Sequence, residues 1–203
     1  MIEAGLWCAA ALLSAPAARW VTRRWPWLLK AAPLAPWVYG LGPPFAALMR
    51  GAVQPREFGL EGFRPQDWLT GALIASAVVA GAALALRTRP TGWERLDPVD
   101  AVLDEARWGL YRAAGVAWTA AVLPGATIGL ALSLVEAYLR SGTRSRPRIW
   151  ATSEPLALLR PAGSTLLFIL TGNVWLTALA QAGLILALSA LSPPGESRDD
   201  SRS

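Results

Sequence analysis

From Trp68 to Leu86 the chain reads WLTGALIASAVVAGAALAL, 19 residues without a charged side chain. A helix rises about 1.5 Å per residue, so this segment is about the length that crosses a hydrocarbon core of roughly 30 Å. A run of that kind rejects a soluble fold. The remainder of the 203 residues agrees, with apolar side chains at 54% gathered into blocks rather than spread at a surface period.

Working outward, apolar runs fall at about residues 3 to 18, 31 to 49, 108 to 123, 124 to 139, 155 to 171 and 173 to 191, divided by charge, proline or glycine. With the central segment these predict an all-α, polytopic transmembrane bundle of about seven short helices. Residues 1–191 form one domain, and the polar tail 192–203, SPPGESRDDSRS, is expected to be disordered. The first run carries Ala15-Pro16-Ala17, which mimics a signal-peptidase site. Glu3 stands where such a peptide needs a basic start, so a retained helix is expected.

Leu123-Pro124-Gly125 poses the main topological choice, because a proline in a membrane helix either kinks it or ends it. Charge bias decides for a hairpin. With the N-terminus outside, sixteen of the 19 basic residues face the cytoplasm, namely Arg19, Arg23, Arg24, Lys30, Arg87, Arg89, Arg95, Arg107, Arg112, Arg140, Arg144, Arg146, Arg148, Arg160, Arg198 and Arg202. Only Arg50, Arg56 and Arg64 remain outside. Joining the two helices moves the Arg140 to Arg160 group across and nearly erases the asymmetry. The predicted location is therefore the inner (cytoplasmic) membrane, with the C-terminus inside.

Eight of the 11 tryptophans, Trp20, Trp25, Trp27, Trp68, Trp93, Trp108, Trp150 and Trp175, are placed at or near helix ends, where an indole prefers the headgroup layer. Small residues four apart, Gly125 with Gly129 and Ala77 with Gly81, let helices approach closely, within the subunit or against another. The basic residues lie between apolar runs rather than along one face, which speaks against a nucleic-acid partner. With no histidine and one cysteine, Cys8, the chain lacks the commonest metal ligand, the usual general base and any internal disulfide. No metal or cofactor is expected.

Candidate chemistry lies in RLDPVDAVLDEARWGLYRAAG, where Asp97 is expected to cap a helix that Pro98 opens. Asp104, Trp108 and Arg112 are spaced by four, and Glu105, Gly109 and Arg112 share a neighbouring stripe, so the acids and an arginine are expected to converge on one side. A desolvated carboxylate there would activate a water; otherwise the charges belong to a solvated interfacial helix. Glu136 has Arg140 four residues on, which predicts a snorkelling pair near the helix end. Gln181 sits near the middle of the last apolar run, where its amide needs a partner on another helix or a ligand.

Three stretches together resemble the CAAX protease and bacteriocin-processing (CPBP) family of helical membrane proteins, whose active members are glutamate-type intramembrane endopeptidases. REFGLEGFRPQDWLTGALIA is similar to the lead into that family's core, Asp104-Glu105 stands in the place of its paired glutamates, and LTGNVWLTALAQ resembles its TGN-[LIV]-W motif that ends in histidine. The likeness covers about residues 56 to 191. What it implies about chemistry is a loss. Asp104 replaces the first glutamate, Gly109 stands at the arginine position, Leu132 and Glu136 at the phenylalanine and first histidine, and Gln181 and Ile185 at the second histidine and the asparagine. Glu105 alone matches.

The resemblance thus implies a CPBP-like scaffold kept without proteolysis, an accessory subunit packed against other integral membrane subunits and lipid. Its binding positions are Gln181, Glu136, Asn173 and Trp175. Pigment or lipid contact stays open, without histidine ligation. The alternative is an endopeptidase using Glu105, with Asp104 and Arg112.

Overall fold

The computed structural model describes residues 1–25, 34–61, 64–86, 97–141 and 155–191. They form eight helices, and there is no strand among the described residues. In chain order these are α1 (Ile2–Arg24), α2 (Ala35–Met49), α3 (Pro55–Phe58), α4 (Pro65–Leu86), α5 (Pro98–Thr119), α6 (Val122–Ser141), α7 (Pro155–Thr171) and α8 (Val174–Leu191). The seven long ones fall on the seven apolar runs. The polar tail, Lys30, Trp27, Trp93, Trp150 and the arginines from Arg87 to Arg95 and Arg144 to Arg148 lie outside the described residues.

Two of the helices are long and apolar enough to cross a membrane, at Pro65–Leu84 and Val122–Arg140. The others fall short of that test for visible reasons. Helix α2 has 15 residues and α7 has 17, the apolar stretches of α1 and α8 are short, at Ile2–Ser14 and Val174–Ala190, and α5 carries Asp104, Glu105, Arg107 and Arg112.

Helix α5 is the axis of the bundle. From Leu103 to Gly115 every residue except Ala106 is buried, because α2, α6 and α8 pack on it with help from α1, α3 and α7. Its start follows the sequence: the Asp97 carboxylate accepts the Val99 N–H at 2.8 Å and Pro98 occupies the first turn. The hairpin to α6 turns at Ala120, whose φ of 53° is left-handed, rather than at Leu123-Pro124-Gly125. Pro124 falls in the first turn of α6, where its missing N–H has no intrahelical acceptor to lose.

Glycine brings α5 and α6 together. A Cβ on Gly115 would strike the Gly125 backbone, and one on Gly129 would lie 2.7 Å from the Arg112 Cα. The Gly125–Gly129 pair therefore packs inside the subunit. Gly81 differs, with nothing within 4 Å of a Cβ there. Around it Ala77, Ala80 and Leu84 are exposed, and among the described residues α4 packs mainly on α8 and α7.

Two links tie distant segments at one end of the bundle. The Trp118 indole donates to the Met1 carbonyl at 3.1 Å, and Val174 N–H donates to the Gly59 carbonyl at 3.2 Å. Gly59 needs to be glycine twice over: its φ is +81°, and a Cβ would sit 2.7 Å from the Gly172 carbonyl oxygen. Trp20, Trp25 and Trp175 are exposed, as an outer aromatic belt requires. Trp108 is not part of that belt. It is buried at 7% exposure, because α5 has neighbours on every side.

Candidate functional site

Asp104 and Glu105 are adjacent on α5, so their side chains leave the helix about 100° apart. They enter two separate charge networks. This corrects the expectation that both acids and Arg112 share one side.

Glu105 is fully buried. Its Oε1 accepts from the Arg112 guanidinium and from the Thr177 hydroxyl at 2.7 Å, and its Oε2 accepts from the Ser164 hydroxyl at 2.5 Å. Arg112 Nη1 in turn donates to Ser164 Oγ at 2.7 Å, and the Phe168 ring stacks 4.7 Å from the guanidinium carbon. Arg112 finds Glu105 because seven residues are almost two full turns, which puts both on one stripe. The result is a neutral, water-excluded pair held by α7 and α8. Both carboxylate oxygens of Glu105 thus face side-chain donors rather than solvent.

Asp104 faces the other way, toward three arginines. Its Oδ1 accepts from Arg107 Nη2 and from Arg140 Nη1, the latter at 2.9 Å, and Oδ2 lies 3.2 Å from Arg160 Nη2. Glu136 joins from α6: its Oε1 accepts from Arg107 Nε at 2.8 Å and forms an ion pair with Arg140, whose Nη2 lies 2.7 Å away. The Arg140 pairing expected from the sequence is present, yet Glu136 is only 2% exposed and shared with Arg107, so it is a buried bridge rather than a snorkelling pair. Tyr39 lies 5.2 Å from the Arg107 guanidinium and 5.8 Å from that of Arg140, while the Trp108 ring stacks 5.4 Å from Arg160.

Gln181 belongs to the same cluster. Its amide donates to the Arg160 carbonyl at 2.9 Å, and its Oε1 accepts from Arg160 Nε at 3.3 Å. Asp104, Glu136 and Gln181, three positions the CPBP resemblance puts at catalytic places, thus meet through Arg160, Arg107 and Arg140. Glu105, the single matching residue, stands apart from them. Gly109, at the arginine position, faces the Phe58 ring 2.9 Å from where a Cβ would be, so a larger side chain there would require that ring to move.

Asn173 and Trp175 take structural parts. The Asn173 side-chain oxygen accepts from Trp175 N at 2.9 Å and Leu176 N at 3.2 Å, capping α8. Trp175 points outward at 51% exposure, away from both networks.

Ser164 and Thr177 escaped the sequence reading, which found no second polar partner for the acids. A signal was present. Ser164 lies four residues after Arg160 and Thr177 four before Gln181, so α7 and α8 each carry a polar stripe at helical spacing. Nothing in the sequence says that the two stripes face α5.

No family model, no curated protein and no solved structure matches this chain. The likeness to the CPBP family therefore rests on the motifs quoted above.

Proposed function

We propose that this protein is a non-catalytic CPBP-like integral membrane protein, an accessory or scaffold subunit of a larger membrane assembly. The observation that carries this is the occupied state of Glu105: one arginine and two hydroxyls take up its oxygens inside a fully buried site. A hydrolytic glutamate needs access to water, and Glu105 is fully buried. The arginine of the resembled site is replaced by Gly109, and losing such a donor costs several kcal/mol of transition-state stabilisation.

The proposed topology puts the N-terminus outside and the C-terminus in the cytoplasm. Supporting it, Met1 with Trp118 and Gly59 with Val174 pair segments that the charge bias assigns to the outer side. Arg107, Arg140 and Arg160 gather on the side assigned to the cytoplasm. The docking face for a partner helix is α4, where Ala77, Ala80 and Gly81 are exposed and unopposed.

Extraction in mild detergent from native membranes tests the proposal. A stoichiometric membrane companion is expected, lost on Gly81→Trp while the subunit itself stays folded. Cleavage of a membrane peptide by the pure protein, abolished by Glu105→Gln, would overturn it.

A further inference from the structure

Helix α1 has two unlike faces. Ala4, Cys8 and Ala11 are buried at spacings of four and three, where α2, α5 and α6 pack on the helix. Leu6, Leu13, Ala17, Trp20 and Arg24 are exposed and recur at the same helical period, so a second stripe faces away from the bundle.

That outward stripe changes character along its length. It is apolar from Leu6 to Ala17, then presents an indole at Trp20, then a guanidinium at Arg24. The helical rise from Leu13 to Arg24 is about 16 Å, close to half of a hydrocarbon core of roughly 30 Å. The order of side chains thus follows one leaflet from acyl chain to interface to headgroup. Trp20 and Trp25 meet edge to face with ring centroids 5.8 Å apart, at 63% and 43% exposure. The helix dipole accounts for a cation in the last turn, but it does not call for two exposed indoles beside that cation.

Charge along this part of α1 has one sign. Arg19, Arg23 and Arg24 all fall in its last two turns, and no acidic residue occurs from Ala4 to Trp25. The charge bias assigns this end to the cytoplasmic side, where a basic juxtamembrane segment attracts anionic lipid. A guanidinium fork also matches the oxygens of a phosphodiester better than a point charge would.

We propose that the C-terminal end of α1 binds an anionic phospholipid, with Trp20 and Trp25 at its interfacial level and Arg24 on its phosphate. Arg19 and Arg23 add positive potential at the same level. The site rests on the multi-pass membrane reading and is independent of the accessory role, which concerns Glu105 and the α4 face.

Native mass spectrometry of the full chain in a neutral detergent, with phosphatidylglycerol and phosphatidylcholine added in equal amounts, tests the site. Wild type is expected to retain phosphatidylglycerol in preference. Arg24→Gln is expected to lower that preference about fivefold, and the triple change Arg19→Gln, Arg23→Gln and Arg24→Gln to abolish it. Arg50→Gln, on the segment assigned to the outer side, leaves the preference unchanged. Circular dichroism identifies a triple variant that fails to fold, and Arg24→Gln alone then decides. Equal retention of the two lipids by wild type, or an undiminished preference in the folded variant, overturns the proposal. Retention in native membranes washed with alkaline carbonate tests the membrane reading by itself, so a retained protein without the lipid preference counts against this site alone.

Discussion

Arg112 reaches back two turns along α5 to close on Glu105, and the two side chains shut each other off from solvent at 0% and 1% exposure. Both belong to one helix, yet their remaining contacts, Ser164, Thr177 and Phe168, come from α7 and α8. The pair thus works as a clamp between the middle of the chain and its last two helices.

Removing one half of that clamp leaves a buried charge unpaired. Glu105→Gln is expected to lower stability by about 3–5 kcal/mol. Replacing Glu105 and Arg112 together by Leu and Met is expected to cost much less than the sum of the single changes. A double-mutant cycle followed by denaturant unfolding in detergent checks this, and additive effects would mean that the clamp does not exist.

At the α5–α6 contact, Gly115→Ala forces a methyl group against backbone that cannot rotate away. A loss of about 1–3 kcal/mol is expected, as for other overpacked interiors. Gly81→Ala meets open space and removes a helix-interior glycine, so it should leave stability unchanged or raise it by up to about 1 kcal/mol. Melting temperatures of the two variants side by side test the contrast.

Asn173 distinguishes a cap from a ligand-binding side chain. Asn173→Ala is expected to cost about 1 kcal/mol, and Asn173→Asp to restore most of it, because a carboxylate accepts the same two N–H groups. Equal loss in both would point away from capping.

Sidedness is open to cysteine labelling, since the native Cys8 is buried at 3% exposure. Glu61→Cys is expected to react with a membrane-impermeant maleimide on intact cells, and Ser145→Cys only after permeabilisation. The reverse pattern would invert the proposed topology.

Much of the helix plan was legible because membrane-length apolar runs are bounded by charge and proline, as α4 and α6 show. The hairpin was legible from arginine placement, although its corner falls at Ala120, where a left-handed backbone outweighs the proline and glycine just after it. The site was legible only in its residue types. Angular spacing along α5 puts Arg112 on the stripe of Glu105, as the structure has it, while grouping Asp104 with that stripe obscured its own pairing with Arg107. What no spacing along one helix encodes is that Arg160 and Gln181 meet Asp104, or that Ser164 and Thr177 meet Glu105. Those contacts depend on how α7 and α8 dock.

The dependence of α5 on later helices bears on how the chain is made. The four buried acidic and basic side chains of α5, Asp104, Glu105, Arg107 and Arg112, each carry a penalty of about 2.5–3.5 kcal/mol when a lone helix enters the bilayer centre. Their outside partners, Glu136, Arg140, Arg160, Ser164 and Thr177, all emerge from the ribosome afterwards. In the proposed multi-pass topology, integration of α5 is therefore expected to be a deferred event that waits for the C-terminal third, and truncation after Ser141 is expected to strand it at the membrane surface.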